Sequence, residues 1–174
     1  MLLFLVGYMG SGKSSLGRKI ARRLSVRYVD TDSVIEQREG ASVSDIFYYE
    51  GEERFRELER ETIEECIAAG EDAVVSTGGG LPVWHNNMAL MNSAGTTVYI
   101  RRTPEQIISR LSPYGRQRRP KFRGLSDEEL LAFMRSNMAE REPFYSQAHK
   151  TVDCTAMNDA ETVNFIINCL TENE

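Results

Sequence analysis

The amino-acid sequence predicts an α/β protein, a five-stranded parallel sheet with helices on both faces. Three observations carry this. The chain opens on an unbroken apolar run of strand length, Leu2, Leu3, Phe4, Leu5 and Val6. That run leads at once into Gly7-Tyr8-Met9-Gly10-Ser11-Gly12-Lys13-Ser14, the GxxxxGKS pattern of a phosphate-binding P-loop set between a strand and a helix. Thereafter short apolar runs alternate with helical patterns, which is how parallel strands joined by crossover helices read in sequence.

At 174 residues the chain fits one domain, which can bury roughly 70% of the surface its unfolded chain exposes. The formal charge of −5 disfavours non-specific attraction to nucleic acid or to an anionic membrane. Cys66, Cys154 and Cys169 are widely spaced, odd in number and without a CxxC pair, so neither a disulfide framework nor a zinc site is expected. That pattern suits the reducing cytoplasm. Residues 2–6 are too few for a membrane span, and no targeting segment is expected.

From about Lys13, the residues Leu16, Ile20 and Leu24 recur every four positions among Arg18, Lys19, Arg22 and Arg23, an amphipathic helix with one face on the sheet. A short strand over 27–29 ends in Asp30-Thr31-Asp32 at the carboxyl edge, where open α/β sheets bind ligands. Residues 32–38 read as helical, Gly40 and Ser42 interrupt them, and Ser44 is expected to cap a short helix through Tyr48. A longer helix covers about 52–69, with Phe55, Leu58, Thr62, Ile63, Cys66 and Ile67 inside and Arg56 and Glu59 off that stripe. Residues 73–77 form a strand that runs into Gly78, Gly79 and Gly80, and another strand spans 97–100. Thr103, Pro104 and Gln106 open a helix to about Leu111, and Ser126 with Glu129 opens a long one that Pro143 ends or bends. A last strand over 151–154 precedes a helix capped by Asp159, with Val163, Ile166, Ile167 and Leu170 inside.

The P-loop supplies the clearest chemistry. Glycines let successive backbone N–H groups and the positive end of the next helix converge on phosphate, so Gly10, Ser11, Gly12 and Ser15 are candidate ATP contacts. Lys13 reaches the β and γ phosphates, and Ser14 can ligate Mg²⁺. Asp30 and Asp32, two apart on a strand end, are expected to face the same side: one to hold a magnesium-bound water, the other a substrate hydroxyl. The competing reading is helix capping by Asp32 with Asp30 exposed. Three consecutive glycines suggest a close backbone approach, or else a flexible turn. Residues 112–124 carry Arg116, Arg118, Arg119, Lys121 and Arg123 among prolines and glycines. They read as a lid that brings an arginine onto a transferring phosphate, against a solvated loop or a nucleic-acid patch. On spacing alone Arg56 and Glu59 make an ordinary surface ion pair, and Arg141 with Glu142 decorates a helix end. His85 and His149 have no ligand-like companions.

The set resembles the shikimate kinases, in the nucleoside-monophosphate-kinase-like branch of P-loop proteins. The resemblance rests on GYMGSGKSS (7–15), DTD (30–32), FRELE (55–59), STGGG (76–80), RRP (118–120) and REPFY (141–145), in that order along most of the chain. It implies a P-loop kinase fold with a mobile lid over about 112–124 and a substrate-binding helical region over about 32–60. It also implies a cytoplasmic, usually monomeric enzyme that moves the γ-phosphoryl of ATP to the 3-hydroxyl of shikimate. Carried over by position, Asp32 binds and orients the acceptor hydroxyl as its base; Arg56 and Arg141 fork onto the carboxylate; Glu59 steadies Arg56; and Gly78, Gly79 and Gly80 line the ring. Ser14 and a water on Asp30 hold Mg²⁺, Arg119 is the lid arginine, and Arg110 lies against adenine. The segment Cys154-Thr155-Ala156-Met157-Asn158 lacks an arginine that some members carry there. The rivals are a gluconate kinase and a nucleotide-sensing switch, and no NKxD guanine motif is present for the latter.

Overall fold

The structure, a computed structural model, describes residues 1–171. Five parallel strands, β1 (Leu2–Val6), β2 (Arg27–Asp30), β3 (Ala73–Ser76), β4 (Thr96–Arg101) and β5 (Lys150–Asp153), lie in the order β2-β3-β1-β4-β5. The register puts Leu5 of β1 and Asp30 of β2 both opposite Ser76 of β3, and Val6 opposite Tyr99 of β4. The carboxyl ends of β1, β2 and β3 are thereby level beside the P-loop, and β4 runs two residues further, to Arg101.

Side chains alternate across the sheet with the two-residue period of a strand. Phe4 and Val6 face a core with Val75, Tyr99, Ile63, Met88, Met91, Ile107, Leu130 and Met134. Leu3 and Leu5 face the other side, with Val74, Val98, Val152, Leu16, Ile20 and Ile166. Helices α1 (Lys13–Leu24) and α9 (Asp159–Thr171) cover that second face. The first is covered by α4 (Glu52–Ala69), α5 (Asn87–Ala94), α6 (Pro104–Arg110) and α8 (Asp127–Tyr145). A satellite core of Ile35, Ile46, Phe55 and Leu58 ties α2 (Thr31–Glu39) and α3 (Val43–Glu50) to α4. No helix among the described residues is long and apolar enough to cross a membrane.

Several local expectations are corrected. Asp30 is the last residue of β2 and itself caps α2, its Oδ1 accepting from Ser33 N–H at 3.3 Å, so Asp32 sits in a helical first turn rather than on a strand. Ser42, not Ser44, caps α3 by accepting from Asp45 N–H at 3.1 Å. Asn158, not Asp159, caps α9, exchanging bonds with Glu161 in a capping box. The helix α8 runs through Pro143 to Tyr145, because a missing N–H within the last turn removes little of the ladder. The segment 112–124, expected to form a lid, is more regular than its composition suggests: it holds α7 (Pro113–Gln117) and a 3-10 turn (Pro120–Phe122), and Phe122 is buried in the main core. Arg56, Glu59 and Arg141, read as surface groups, are buried.

Gly17 makes α1 sit close on β3: a Cβ there would lie 2.6 Å from Ser76 Oγ and 2.7 Å from the Tyr28 ring. Gly17→Ala should therefore lower the unfolding free energy measured by denaturant titration by about 1–3 kcal/mol, overpacking outweighing the better helix propensity of alanine. A variant as stable as the parent or more so contradicts the close packing.

Candidate active site

Three glycines of the P-loop, Gly7, Gly10 and Gly12, take positive φ (147°, 78° and 97°), a region that side-chain-bearing residues avoid. The loop so formed wraps Lys13, whose Nζ donates to the carbonyls of Gly7 (2.7 Å) and Tyr8 (2.9 Å). Burial pushes the Lys13 pKa down to about 8, opposed by the nearby Asp32 and Asp30 carboxylates. Ser14 Oγ donates to Asp30 Oδ2 at 2.7 Å, while Ser11 Oγ is buried without a hydrogen-bond partner. Ser15 is exposed in the first turn of α1. The main chain of this turn is steadied by Ser76 Oγ, which donates to the Lys13 carbonyl at 2.9 Å.

The acidic residues enter from β2 and α2. Gly78 N–H donates to Thr31 Oγ1 at 3.0 Å, which draws the start of α2 onto the glycine turn after β3. Asp32 follows, its Oδ1 covered and without a partner. Burial first, and repulsion from Asp30 second, raise its pKa to about 6, with Lys13 pulling the other way. A Cβ on Gly78 would lie 2.5 Å from Glu59 Oε1 and 2.9 Å from Asp32 Oδ1, so only glycine fits between the two carboxylates.

The guanidinium groups enter from the opposite side. Arg56 Nη1 donates to Glu59 Oε2 at 2.6 Å and Nη2 to Glu52 Oε1 at 3.2 Å, with the Phe47 and Phe55 rings flanking it at 5.7 and 5.6 Å. Glu59 is fully buried; desolvation raises its pKa, Arg56 opposes this, and its Oε1 has no partner. Arg141 lies over the Tyr8 ring at 5.6 Å, and its Nη1 is buried and unpartnered. Gly79 lets the P-loop and Arg141 approach: a Cβ there would stand 3.1 Å from Met9 N and 3.4 Å from Arg141 Nη1. On Gly80 a Cβ would collide with the Arg56 guanidinium. Tyr145 Oη donates to the Gly79 carbonyl at 2.5 Å and fixes the turn. A cavity of about 390 Å³ results, lined by Glu52, Glu53, Arg56, Gly80, Val83, Trp84 and Arg141.

Buried polar atoms are normally hydrogen-bonded, and exceptions call for an explanation. Ser11 Oγ, Asp32 Oδ1, Glu59 Oε1 and Arg141 Nη1 are such exceptions among the described residues, and all belong to this rim. Their chemistry is that of a site for an anionic, hydroxyl-bearing ligand beside a phosphate cradle.

Arg119, half-buried, donates Nη1 to the Gly115 carbonyl at 2.7 Å and lies within the electrostatic reach of Lys13 and Asp32. Arg110 sits on the other flank of the P-loop, its Nη2 3.3 Å from the Cβ position of Gly12 and 3.5 Å from Asp159 Oδ1. Sequence reasoning brought these groups to one edge but missed Arg102, Tyr8, Glu52, Trp84 and Tyr145. Arg102 and Trp84 follow β4 and the glycine turn on the carboxyl edge, so the edge rule alone would have flagged them.

The chain matches the family model described as shikimate kinase over residues 9–171. It is 42% identical over 168 residues to the shikimate kinase of Parabacteroides distasonis, covering 97% of this chain and 96% of that one. A crystal structure of shikimate kinase from Bacteroides thetaiotaomicron superposes with a TM-score of 0.90 at 37% identity, over 98% of each chain. Shikimate kinase from Acinetobacter baumannii, solved in complex with shikimate, gives a TM-score of 0.88 at 29% identity, over 99% of this chain and 94% of that one. With the motifs, the fold and the rim of buried charges in agreement, this chain belongs to the shikimate kinase family.

Proposed function

We propose that the protein transfers the γ-phosphoryl group of ATP to the 3-hydroxyl of shikimate, giving 3-phosphoshikimate for aromatic amino acid biosynthesis. The observation that carries this reading is the set of unpartnered buried atoms on one rim, because each matches a group to be bound. A carboxylated triol offers a carboxylate to Arg141 and Arg56, whose planar guanidinium forks suit it. It offers hydroxyls to Asp32 and Glu59.

ATP would supply the phosphoryl group and Mg²⁺ would neutralise its charge. The residues present fit that pair. Ser11 Oγ and the backbone of Gly10 and Gly12 answer phosphate oxygens, with Ser15 at the head of α1. Ser14 Oγ and Asp30 Oδ2, already 2.7 Å apart, make the small set of protein ligands that Mg²⁺ takes beside phosphate and water. Arg110, held over Gly12, is placed for the adenine side.

Asp32 accepts the proton of the acceptor hydroxyl as its oxygen bonds to phosphorus and the bond to the ADP oxygen breaks. A carboxylate with a pKa near 6 is ionised at neutral pH yet more basic than an exposed one. Lys13 balances charge on the transferring group. Arg119 is the lid arginine on this reading because, although its Nη1 also donates to a carbonyl, it lies within electrostatic reach of Lys13 and Asp32, whereas Arg116 pairs with Asp127 (2.7 Å), Arg123 donates to the Gln117 carbonyl (2.5 Å) and Arg118 stacks on Tyr114. Gly78, Gly79 and Gly80 line the ring, and the chain works as one cytoplasmic monomer with a lid over about 112–124.

The primary test is Mg²⁺-dependent ADP release that requires shikimate; nucleotide binding without shikimate-stimulated turnover contradicts the proposal. Arg141→Ala, which breaks no ion pair among the described residues, should raise the KM for shikimate by about 10- to 100-fold and leave that for ATP within about twofold. Arg56→Ala should act in the same sense but also lower stability, because it strands Glu59. Unchanged shikimate kinetics in both variants return these arginines to a structural role.

Asp32→Asn should reduce turnover at least about 100-fold while ADP affinity holds. The same variant reports on buried charge. Because the folded-state pKa of Asp32 is raised, its contribution to stability is present in full below about pH 4 and is lost as pH rises through about 6. Asp32→Asn should therefore be more stable than the parent at pH 8, by roughly 1–3 kcal/mol, with the difference gone near pH 4. Equal melting at pH 8 contradicts a buried, ionised Asp32.

A further inference from the structure

We infer that Arg102, the first residue after β4, is a positioning residue for the nucleotide phosphates, acting through the Ser11–Gly12 peptide of the P-loop. Arg102 is only 5% exposed, and its Nε donates to the Ser11 carbonyl at 2.7 Å. In a planar trans peptide the C=O and N–H groups point in opposite directions. Holding the Ser11 carbonyl outward on Arg102 therefore turns the Gly12 N–H inward, toward the space that the P-loop encloses. That N–H makes no hydrogen bond to any described residue, so it is left as a donor for phosphate.

The peptide needs such a lock. Gly12 has a φ of 97° and, lacking a Cβ, can adopt either sign of φ at little cost, so a peptide beside it can rotate. Arg102 is itself fixed from behind. Its Nη2 lies 3.5 Å from Asp159 Oδ1, and Asp159 is held by Lys19 Nζ at 2.9 Å and by its place in the first turn of α9. The Asn158–Glu161 capping box keeps that turn in place. The P-loop geometry is thus set from β4 and α9, outside the GxxxxGKS motif.

This inference rests on the phosphoryl-transfer reading, and its test separates the two. Equilibrium binding of ADP and of adenosine is compared for the parent protein, Arg102→Met and Arg102→Lys, with shikimate binding read from the fluorescence of Trp84, the single tryptophan, beside the acceptor cavity. Losing the lock should weaken ADP about tenfold in Arg102→Met and about threefold in Arg102→Lys, which keeps one charged donor. Adenosine, which has no phosphate to meet the Gly12 N–H, and shikimate should each stay within about twofold of the parent. ADP affinity within about twofold of the parent, or equal weakening of ADP and adenosine, overturns the inference alone. Should Arg102→Met not fold, Arg102→Lys decides by the same comparison. A parent protein that binds no ADP overturns the phosphoryl-transfer reading and this inference with it.

Discussion

Three successive residues without side chains, Gly78, Gly79 and Gly80, let ionic groups from four elements share one rim of the sheet. Asp32 comes from α2, Arg56 and Glu59 from α4, Arg141 from α8, and Lys13 from the P-loop. At each glycine a methyl group would meet one of these groups or the P-loop backbone. Ionic side chains taken out of water cost several kcal/mol each unless answered by opposite charge and hydrogen bonds. Their mutual approach across the glycine turn is what makes their burial tolerable.

The compensation is deliberately incomplete in a physical sense. Glu59 answers Arg56 through one oxygen and leaves the other unpaired, Asp32 remains repelled by Asp30, and Arg141 keeps a free Nη1. Such a rim weakens the isolated fold and strengthens binding of whatever completes it, the usual exchange of stability for function at a site. Strand order spreads the parts in sequence along the edge. The acidic end of β2 and the glycine turn after β3 form the proposed acceptor side, β1 supplies the cradle in the middle, and Arg102 after β4 with Asp159 beyond β5 backs the nucleotide side.

The sheet, its helices and the P-loop were legible because their signals are local: an apolar run, a motif with fixed spacing, capping boxes at Thr103 and Ser126. The burial of Arg56, Glu59 and Arg141 was not. Each stands on a helix whose charged residues look alike in sequence, and only the packing of α4 and α8 against the glycine turn separates the buried Arg56 from the more open Arg54. The short α5 escaped notice since its buried Asn87 is held by the Leu81 carbonyl and by Arg60, contacts that leave no periodic trace. Ser42 and Ser44 offer equal capping chemistry, and the choice between them falls to the packing of Ile46 in the satellite core. Arg102 went unremarked because its partner is a carbonyl 91 residues away.

The most direct test of the shared-rim account is Gly80→Ala, which adds one methyl group where the Arg56 guanidinium lies and changes no charge. Shikimate and ADP affinities of this variant, measured separately against the parent, are the quantities that matter. The account predicts shikimate binding weakened more than about tenfold and ADP binding within about twofold. Shikimate binding that survives the added methyl group unchanged would contradict it.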